Sequence, residues 1–457
     1  MNMVHRFIAR AALLIGLLSA VTQPLMAQVV VTVSPASIVR DRLVAARERA
    51  QARNPRLTPV ATNSAGTYTL LDGSTVTVSS TATYPSGSTT YPLAAAGSRV
   101  LADYDALFST EGGYRSVATG GLMLQVPNAR TVAGVSWDAT ASKQRNSYRF
   151  SVESNAPTVF FQLGWLGSGT RTDYKGRVLV NGQYVDLAGH TLNDYVQIAF
   201  GDSRTRTITL ELQNAWTIQG FLIQQGANYY AVNRPADRKP RILFIADSYG
   251  VGPSVGAGLS DTTQSAYYDN MYSVAADWLG AEGIVSAIGG TGFTTNNGGN
   301  TNTYPQRWQD VLDINAQQPI DALHVHGSVN DALGSASVAD IQTAATAYLI
   351  QAVRALPNIP ITVSGCFQLA GSANPKAVQI EAALSSAVAA AVAQTGSTRL
   401  KFIAIQSPPY VPTWPTTPPS SLILADGSHP TPGPGGGHAS FGKRMASDLY
   451  RAWISMQ

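Results

Sequence analysis

A serine hydroxyl becomes a nucleophile only when a base can reach it and a third group holds that base in place. Ser248 stands where this is feasible. A strand-like run from Ile242 to Ala246 ends in Asp247-Ser248-Tyr249-Gly250, and the corner between strand and turn holds the side chain out beside backbone N–H groups. A serine in such a place is equally a common helix cap, so it carries weight only with a base in reach. The segment Asp426-Gly427-Ser428-His429-Pro430 supplies one. A carboxylate and an imidazole three residues apart on a turn can lie side by side, the carboxylate holding one ring nitrogen and aiming the other at a hydroxyl. Two Gly-bearing loops add donors for a developing oxyanion: Gly289-Gly290-Thr291-Gly292-Phe293, and Gly327-Ser328-Val329-Asn330-Asp331. One well-placed donor of this kind lowers a barrier by roughly 3–4 kcal/mol.

The elements that must position these groups read as alternating strand and helix after Pro240. Candidate strands are Ile242 to Ala246, Gly283 to Ile288, Ala322 to His326, Ile359 to Ser364 and Leu400 to Ile405. Helical stretches follow Val338, Pro375 and His438. Such alternation predicts a parallel sheet covered by helices on both faces, with the active site at the carboxyl ends of the strands. All four loops named above fall at such ends.

Taken together, the four loops resemble the SGNH (GDSL-type) hydrolase family over about residues 240–455. Ala246-Asp247-Ser248 is similar to its Gly-Asp-Ser block, with Ala for the usual Gly. Ala287 to Gly292 is similar to its second block, with Ala287 for the usual Asn. Gly327 to Asn330 is similar to the third, one residue longer, and Asp426 with His429 matches the last in full. The resemblance implies an α/β, flavodoxin-like three-layer fold. It also implies Ser248 as nucleophile, His429 as base and Asp426 as its orienter. The implied oxyanion hole is Ser248 N–H, Gly292 N–H and the Asn330 side chain, with Gly290 the alternative glycine. The reaction would be ester hydrolysis through an acyl-enzyme, with no cofactor and no metal.

From about residue 66 to 225 the hydrophobic period is two. Asp72-Gly73 and Asn181-Gly182 sit between alternating runs, the strongest short hairpin signal. Together with SYRFSVES, TVFFQLGW, YVQIAF, TRTITLELQ and TIQGFLIQ they predict an antiparallel β-sandwich. Within it, Gly201-Asp202-Ser203 spells the literal family triplet, but it lies between two antiparallel strands and precedes no helix, so it reads as a hairpin turn. Residues 226–240 read as a linker, and residues 241–457 as the hydrolase domain. Residues 28–65 form an arm whose Val39, Leu43 and Ala46 fall on helical spacing among arginines, a surface helix or a free arm.

The first 27 residues carry His5, Arg6 and Arg10, then an apolar run from Ala11 to Val21, then Pro24 and Ala27: the layout of a secretory signal peptide. The run is short of the ~20 residues that a membrane span requires, and no later stretch reads as a span. An exported chain with no membrane partner after leader removal follows. Charged residues make up 13%, about half of the globular norm of roughly 25%. A formal charge of +4 is too small for a nucleic-acid footprint. One cysteine forms no intrachain disulfide; Cys366, in an apolar run, reads as a buried thiol. The six histidines can be taken singly. His5 leaves with the leader, His190 lies in a sandwich loop, and His324 and His326 share one strand face, which favours packing over metal binding. His438 opens the last helix, where it can cap or line the pocket. His429 alone has the spacing and place of a base. Tyr249, Phe293, Trp308, Tyr410 and Trp414 are candidates for pocket walls or for simple packing.

A sandwich followed by an SGNH domain resembles bacterial carbohydrate esterases, which implies removal of acetyl or other short acyl groups from an acylated carbohydrate or small ester. Two other readings stand beside it: a polysaccharide O-acyltransferase using the same triad, and a carbohydrate-binding surface protein with an inert SGNH domain. Oligomeric state is not legible.

Overall fold

A computed structural model of the chain describes residues 35–50, 54–82, 88–92, 108–111, 114–118, 121–125, 147–165, 175–213, 216–224, 229–230, 239–251, 269–296, 303–317, 319–367, 374–406, 422–424, 429–431 and 435–456. The expected leader, Asp426, Tyr410 and Trp414 lie outside these residues.

Five short runs rich in Ile, Val, Leu and Phe form one parallel sheet: β1 (Arg241–Ala246), β2 (Glu282–Ala287), β3 (Ala322–Gly327), β4 (Ile361–Cys366) and β5 (Leu400–Ile403). Their order is β2-β1-β3-β4-β5, the flavodoxin-like order, which reverses direction at β1. Both faces are covered, so burial does not alternate along the central strands: β3 and β4 are buried at every position. The helices are α1 (Pro35–Ala50), α2 (Ser248–Val251), α3 (Met271–Leu279), α4 (Trp308–Gln317), α5 (Val329–Leu333), α6 (Val338–Ala355), α7 (Pro375–Thr395) and α8 (Gly437–Ile454). Right-handed crossovers put α3 on one face of the sheet and α4, α6 and α7 on the other, because the chain moves outward from β1 in opposite directions. Helix α7 is long and apolar enough by composition to cross a bilayer, contrary to the sequence expectation that no stretch beyond the leader is. Here its Ile380, Leu384 and Ala387 are buried against this sheet instead.

Helix α1 completes the α3 face. It lies more than 180 residues upstream of β1, yet Leu43 is buried in the same core as Ile242 and Leu449. Arg47 stacks on the Tyr450 ring at 4.0 Å, and Arg42 pairs with Asp321 at 3.0 Å. The arm anticipated as a surface helix or free segment is a structural helix of the α/β layer.

The intervening segment forms two antiparallel sheets. The first runs Thr62–Ser64, Thr67–Thr69, Thr75–Thr81, Tyr195–Phe200, Thr158–Trp165, Trp216–Gln224 and Ser88–Pro92 in spatial order. The second has Gln183–Tyr184, Lys175–Val180, Arg206–Gln213, Ser147–Ser154 and Tyr229–Tyr230 along its path. Period-two burial is explicit in Tyr195–Phe200, where Val196, Ile198 and Phe200 point inward. Between the sheets Phe150, Phe161, Ile198, Leu210, Trp216 and Phe221 are fully buried, each contributing about 2 kcal/mol. Both expected hairpins form. Asn181 and Gly182, at φ 51° and 81°, make the left-handed pair that this two-residue turn demands. Two details differ from expectation. Tyr229–Tyr230, inside the supposed linker, pairs with Ser147–Ser154. Gly201-Asp202-Ser203 is not a hairpin turn either. The strands it joins belong to different sheets, so it is the corner where the chain crosses the sandwich. Asp202 there accepts from the Arg204 amide and ion-pairs Arg206.

The second sheet meets the α/β layer through ions. Arg149, Glu211 and Arg177 stand directly opposite one another on three adjacent strands. Arg149 reaches across to Asp277 on α3 at 2.6 Å, Arg177 to Asp269 at 3.2 Å, and Arg56 of the connecting segment to both acids, at 2.6 and 2.8 Å. Burial alone would raise Asp277, but the Arg149 and Arg56 guanidinium groups outweigh it and hold the carboxyl below its ordinary value.

Candidate active site

At the carboxyl end of β1 the chain turns through Asp247 into α2. Tyr249 N–H donates to Asp247 Oδ1 at 3.0 Å and Gly250 N–H to Asp247 O at 3.0 Å, which closes a tight corner with Ser248 first in the helix. By position at the start of the helix the Ser248 amide has no intrahelical acceptor. Gly250 is required by space: a Cβ there would come 2.7 Å from Ala287 Cβ and 2.8 Å from Ala246 Cβ.

His429 Nε2 lies 2.9 Å from Ser248 Oγ, across 181 positions of sequence. The tautomer with the proton on Nδ1 makes Nε2 the acceptor of the serine proton. A short antiparallel bridge holds the histidine. Ile423 pairs with Pro430, Leu424 N–H donates to His429 O at 2.8 Å, and Thr431 N–H donates to Leu422 O at 2.9 Å. Asp426, within that loop, is the expected residue on which the described geometry is silent.

The two donor loops are built around carboxylates that the sequence reading did not single out. Asp331 accepts from Phe293 N–H (2.7 Å), Thr294 N–H (3.0 Å), Thr294 Oγ1 (2.9 Å) and Thr295 N–H (3.0 Å), so the second loop is wrapped on it. A side chain at Gly292 would overlap that carboxylate. Gly292 N–H donates to Thr295 O at 2.9 Å, which commits the amide that the family resemblance makes an oxyanion donor. Gly290 sits in the left-handed region at φ 76°, next to Gly289, whose Cβ position is 3.7 Å from Ser248 Cβ.

Asp247, fully buried, is the second hub. It accepts from Ser328 Oγ at 2.7 Å and from Asn330 Nδ2 at 3.3 Å. Asn330 Nδ2 also lies 3.2 Å from Thr291 O and 3.0 Å from Ser328 Oγ. The Asn330 amide is thus held between the first and second loops, beside the nucleophile's neighbour. Beneath it, His326 stands 3.7 Å from Asp247 and pairs with Ser364 at 3.3 Å, while His324 pairs with Thr362 at 3.0 Å. Burial lowers both imidazoles, His324 to about 3, so both are neutral core residues. Arg307, also buried, donates to carbonyls at the ends of two strands, the last of β1 (Ala246 O, 3.0 Å) and the next-to-last of β2 (Ser286 O, 2.9 Å). In the sequence only the apolar run around His324 and His326 hints at such buried polar residues, and nothing around Arg307 does.

Of the expected wall residues, Tyr249, Phe293 and Trp308 are core. Tyr249 stacks on Phe367 at 4.9 Å, Phe293 packs on Tyr304 at 5.1 Å, and Trp308 meets Tyr348 edge-on at 5.4 Å. Cys366 is fully buried at the end of β4, with its thiol pushed well up by burial and without nucleophilic character.

Comparison with known proteins places this architecture. No curated protein matches the chain. Among solved structures, the fold is similar to a salicylyl-acyltransferase from a tetracycline biosynthetic pathway, at 10% identity over 82% of this chain and 100% of that one, TM-score 0.57. It is similar to an active site mutant of a family two carbohydrate esterase from Clostridium thermocellum, at 13% identity over 75% and 96%, TM-score 0.54. It is also similar to an acetyl xylan esterase from Butyrivibrio proteoclasticus, at 13% identity over 77% and 96%, TM-score 0.53. These likenesses span sandwich and α/β layer together and establish the fold. The sequence itself matches the GDSL-like Lipase/Acylhydrolase family from residue 247, just before the serine, to residue 433, just past the histidine.

Proposed function

We propose that this chain is an exported serine esterase that removes acetyl or other short acyl groups from carbohydrate hydroxyls. The observation that carries the reading is the 2.9 Å approach of His429 Nε2 to Ser248 Oγ at the carboxyl end of the sheet. In the proposed reaction His429 takes the Ser248 proton as Oγ attacks the acyl carbonyl. The oxyanion is met by Ser248 N–H, by Asn330 Nδ2 and by an amide of the Gly289–Gly292 loop. For Gly292 to serve, its N–H leaves Thr295 O, with Gly290 the alternative, and Asn330 Nδ2 gives up one of its present acceptors, Asp247, Thr291 O or Ser328 Oγ. Collapse releases the sugar alcohol, protonated by His429, and water then attacks the acyl-serine with His429 as base again. Asp426 orients Nδ1. Neither step draws on a metal or organic cofactor.

The test is Ser248→Ala assayed on p-nitrophenyl acetate, followed by acetate release from a panel of acetylated polysaccharides. Retained activity in Ser248→Ala sinks the nucleophile assignment. Export rests on the leader-like residues 1–27, and the N-terminal sequence of protein recovered from periplasm or medium tests it. A second reading, transfer of the acyl group to a sugar acceptor, draws support from the shared fold with the salicylyl-acyltransferase. Product analysis with an acyl donor, with and without a glycan acceptor, separates the two. A fluorophosphonate probe that fails to label Ser248 would point to an inert binding protein.

A further inference from the structure

His438 is buried, at 1% exposure, and the proposed reaction does not use it. Its Nδ1 accepts the Met271 amide of α3 at 3.1 Å, from 167 residues away. That bond completes the start of α3. Asn270 Oδ1 accepts from Tyr272 N–H at 3.1 Å and Ser273 N–H at 2.9 Å, and Asn270 O accepts from Val274 N–H at 3.1 Å. The Met271 amide is the remaining orphan, and a ring nitrogen from α8 takes it.

The same residue is tied to the catalytic histidine's loop. His438 N–H donates to Thr431 O at 3.2 Å, Gly437 N–H donates to Thr431 Oγ1 at 2.9 Å, and Thr431 is two residues beyond His429 in the bridge that holds it. Helices α3 and α8 cross in direct contact, since a Cβ at Gly442 would come 2.5 Å from Met271 O and 2.6 Å from Val274 Cβ. The imidazole is not there for packing alone. With Nδ1 accepting, Nε2 carries the proton, and this buried donor has no acceptor among the described residues. An aliphatic side chain of similar volume would avoid that cost. What the imidazole adds is an acceptor at Nδ1.

We infer that His438 is a positioning residue: by capping α3 through Nδ1 it fixes the first turn of α8, and with it the Thr431 bridge that aims His429 at Ser248. The inference rests on His429 being the base. Burial, then the nearby His429, hold the His438 imidazole down at about 3, with Asp269 pulling the other way. The ring therefore stays a neutral acceptor.

The experiment compares His438→Asn with His438→Gln in the full chain. The Asn carbonyl falls near the Nδ1 position and can accept from Met271; the Gln carbonyl falls near Nε2 and cannot. We expect Asn to keep kcat within about twofold of the parent, and Gln to lose about tenfold or more in kcat with KM little changed, as a misaligned base does. The 15N imidazole signals of His429, read by NMR across pH, should move in Gln and not in Asn. Equal kcat and unmoved His429 signals in both variants would overturn the inference, as would equal losses in both. If the parent protein hydrolyses no ester, the functional reading falls, while the His429 15N signals still decide this one.

Discussion

Two polar networks of the α/β layer use carboxylates in opposite ways. In the crevice, Asp247 and Asp331 are met by amide and hydroxyl donors: Tyr249, Phe293, Thr294 and Thr295 N–H, with Ser328 Oγ. At the sandwich boundary, Asp269, Asp277 and Glu211 are met by the guanidinium groups of Arg56, Arg149 and Arg177. The first network converts carboxylates into templates that shape backbone; each bond sets where a loop amide points. The second sets charge against charge across a boundary where neither side could tolerate its ions alone. Damage to the first is therefore expected in kcat, and damage to the second in stability.

The comparison can be broken at several points. The largest effect is expected at the chemistry itself. Ser248→Ala or His429→Ala should each cost at least about 10⁴-fold in kcat with the thermal midpoint unchanged; steady-state kinetics beside calorimetry would show it, and a small loss would mean that the pair is not the reacting pair. Next comes the boundary. Asp277→Ala leaves Arg149 only Glu211 and Arg56 only Asp269 as carboxylate partners, and should cost about 3 kcal/mol in urea unfolding while the folded fraction keeps its kcat. If activity falls but stability does not, the division between the networks is wrong.

The same acid predicts a pH dependence with a definite sign. Asp277 is held below its ordinary value, so the unfolded chain takes up protons that the folded chain refuses. The stability it confers is full above the unfolded carboxylate pKa of about 4 and is lost as pH falls below it. Asp277→Asn should flatten this acid limb in urea titrations run between about pH 6 and pH 2.

In the crevice, Gly292→Ala drives a methyl group into the Asp331 carboxylate and displaces the second loop. A loss of about 10²-fold in kcat, the order of one oxyanion donor, is the expected outcome, with little change in KM. A stability loss without a kcat loss would show that this loop is scaffold only. The smallest effect is expected at the literal Gly-Asp-Ser triplet: Ser203→Ala, at a sandwich corner, should leave esterase activity unchanged and stability within about 0.5 kcal/mol.

Legibility followed the range of the interaction. The five strands of the α/β sheet, both tight hairpins and the strand Tyr195–Phe200 were all readable, because period, turn residues and apolar runs act over fewer than ten positions. The loops that carry Ser248, Asn330 and His429 were readable for the same reason, since each follows a strand or opens a turn. The roles of Asp331 and Asp247 were not, although both lie inside quoted motifs. Nothing in Gly-Ser-Val-Asn-Asp says that its last carboxylate will collect four donors from a loop some 36 residues earlier. The corner at Gly201-Asp202-Ser203 was misread because a turn between antiparallel-type strands looks alike whether the strands pair or part into two sheets.

The sequence by itself determined the architecture, the order of the loops and a serine and a histidine worth bringing together. Tertiary structure alone decided that they meet, at 2.9 Å over 181 positions. It also decided that α1 belongs to the α/β layer, that Arg149 finds Asp277 across 128 positions, and that His438 caps a helix 167 positions away. The physical reason is common to all of these. Periodicity and turn chemistry are local properties of a chain, whereas the partner of a buried charge or an orphan amide is chosen by which surfaces the packed layers bring together.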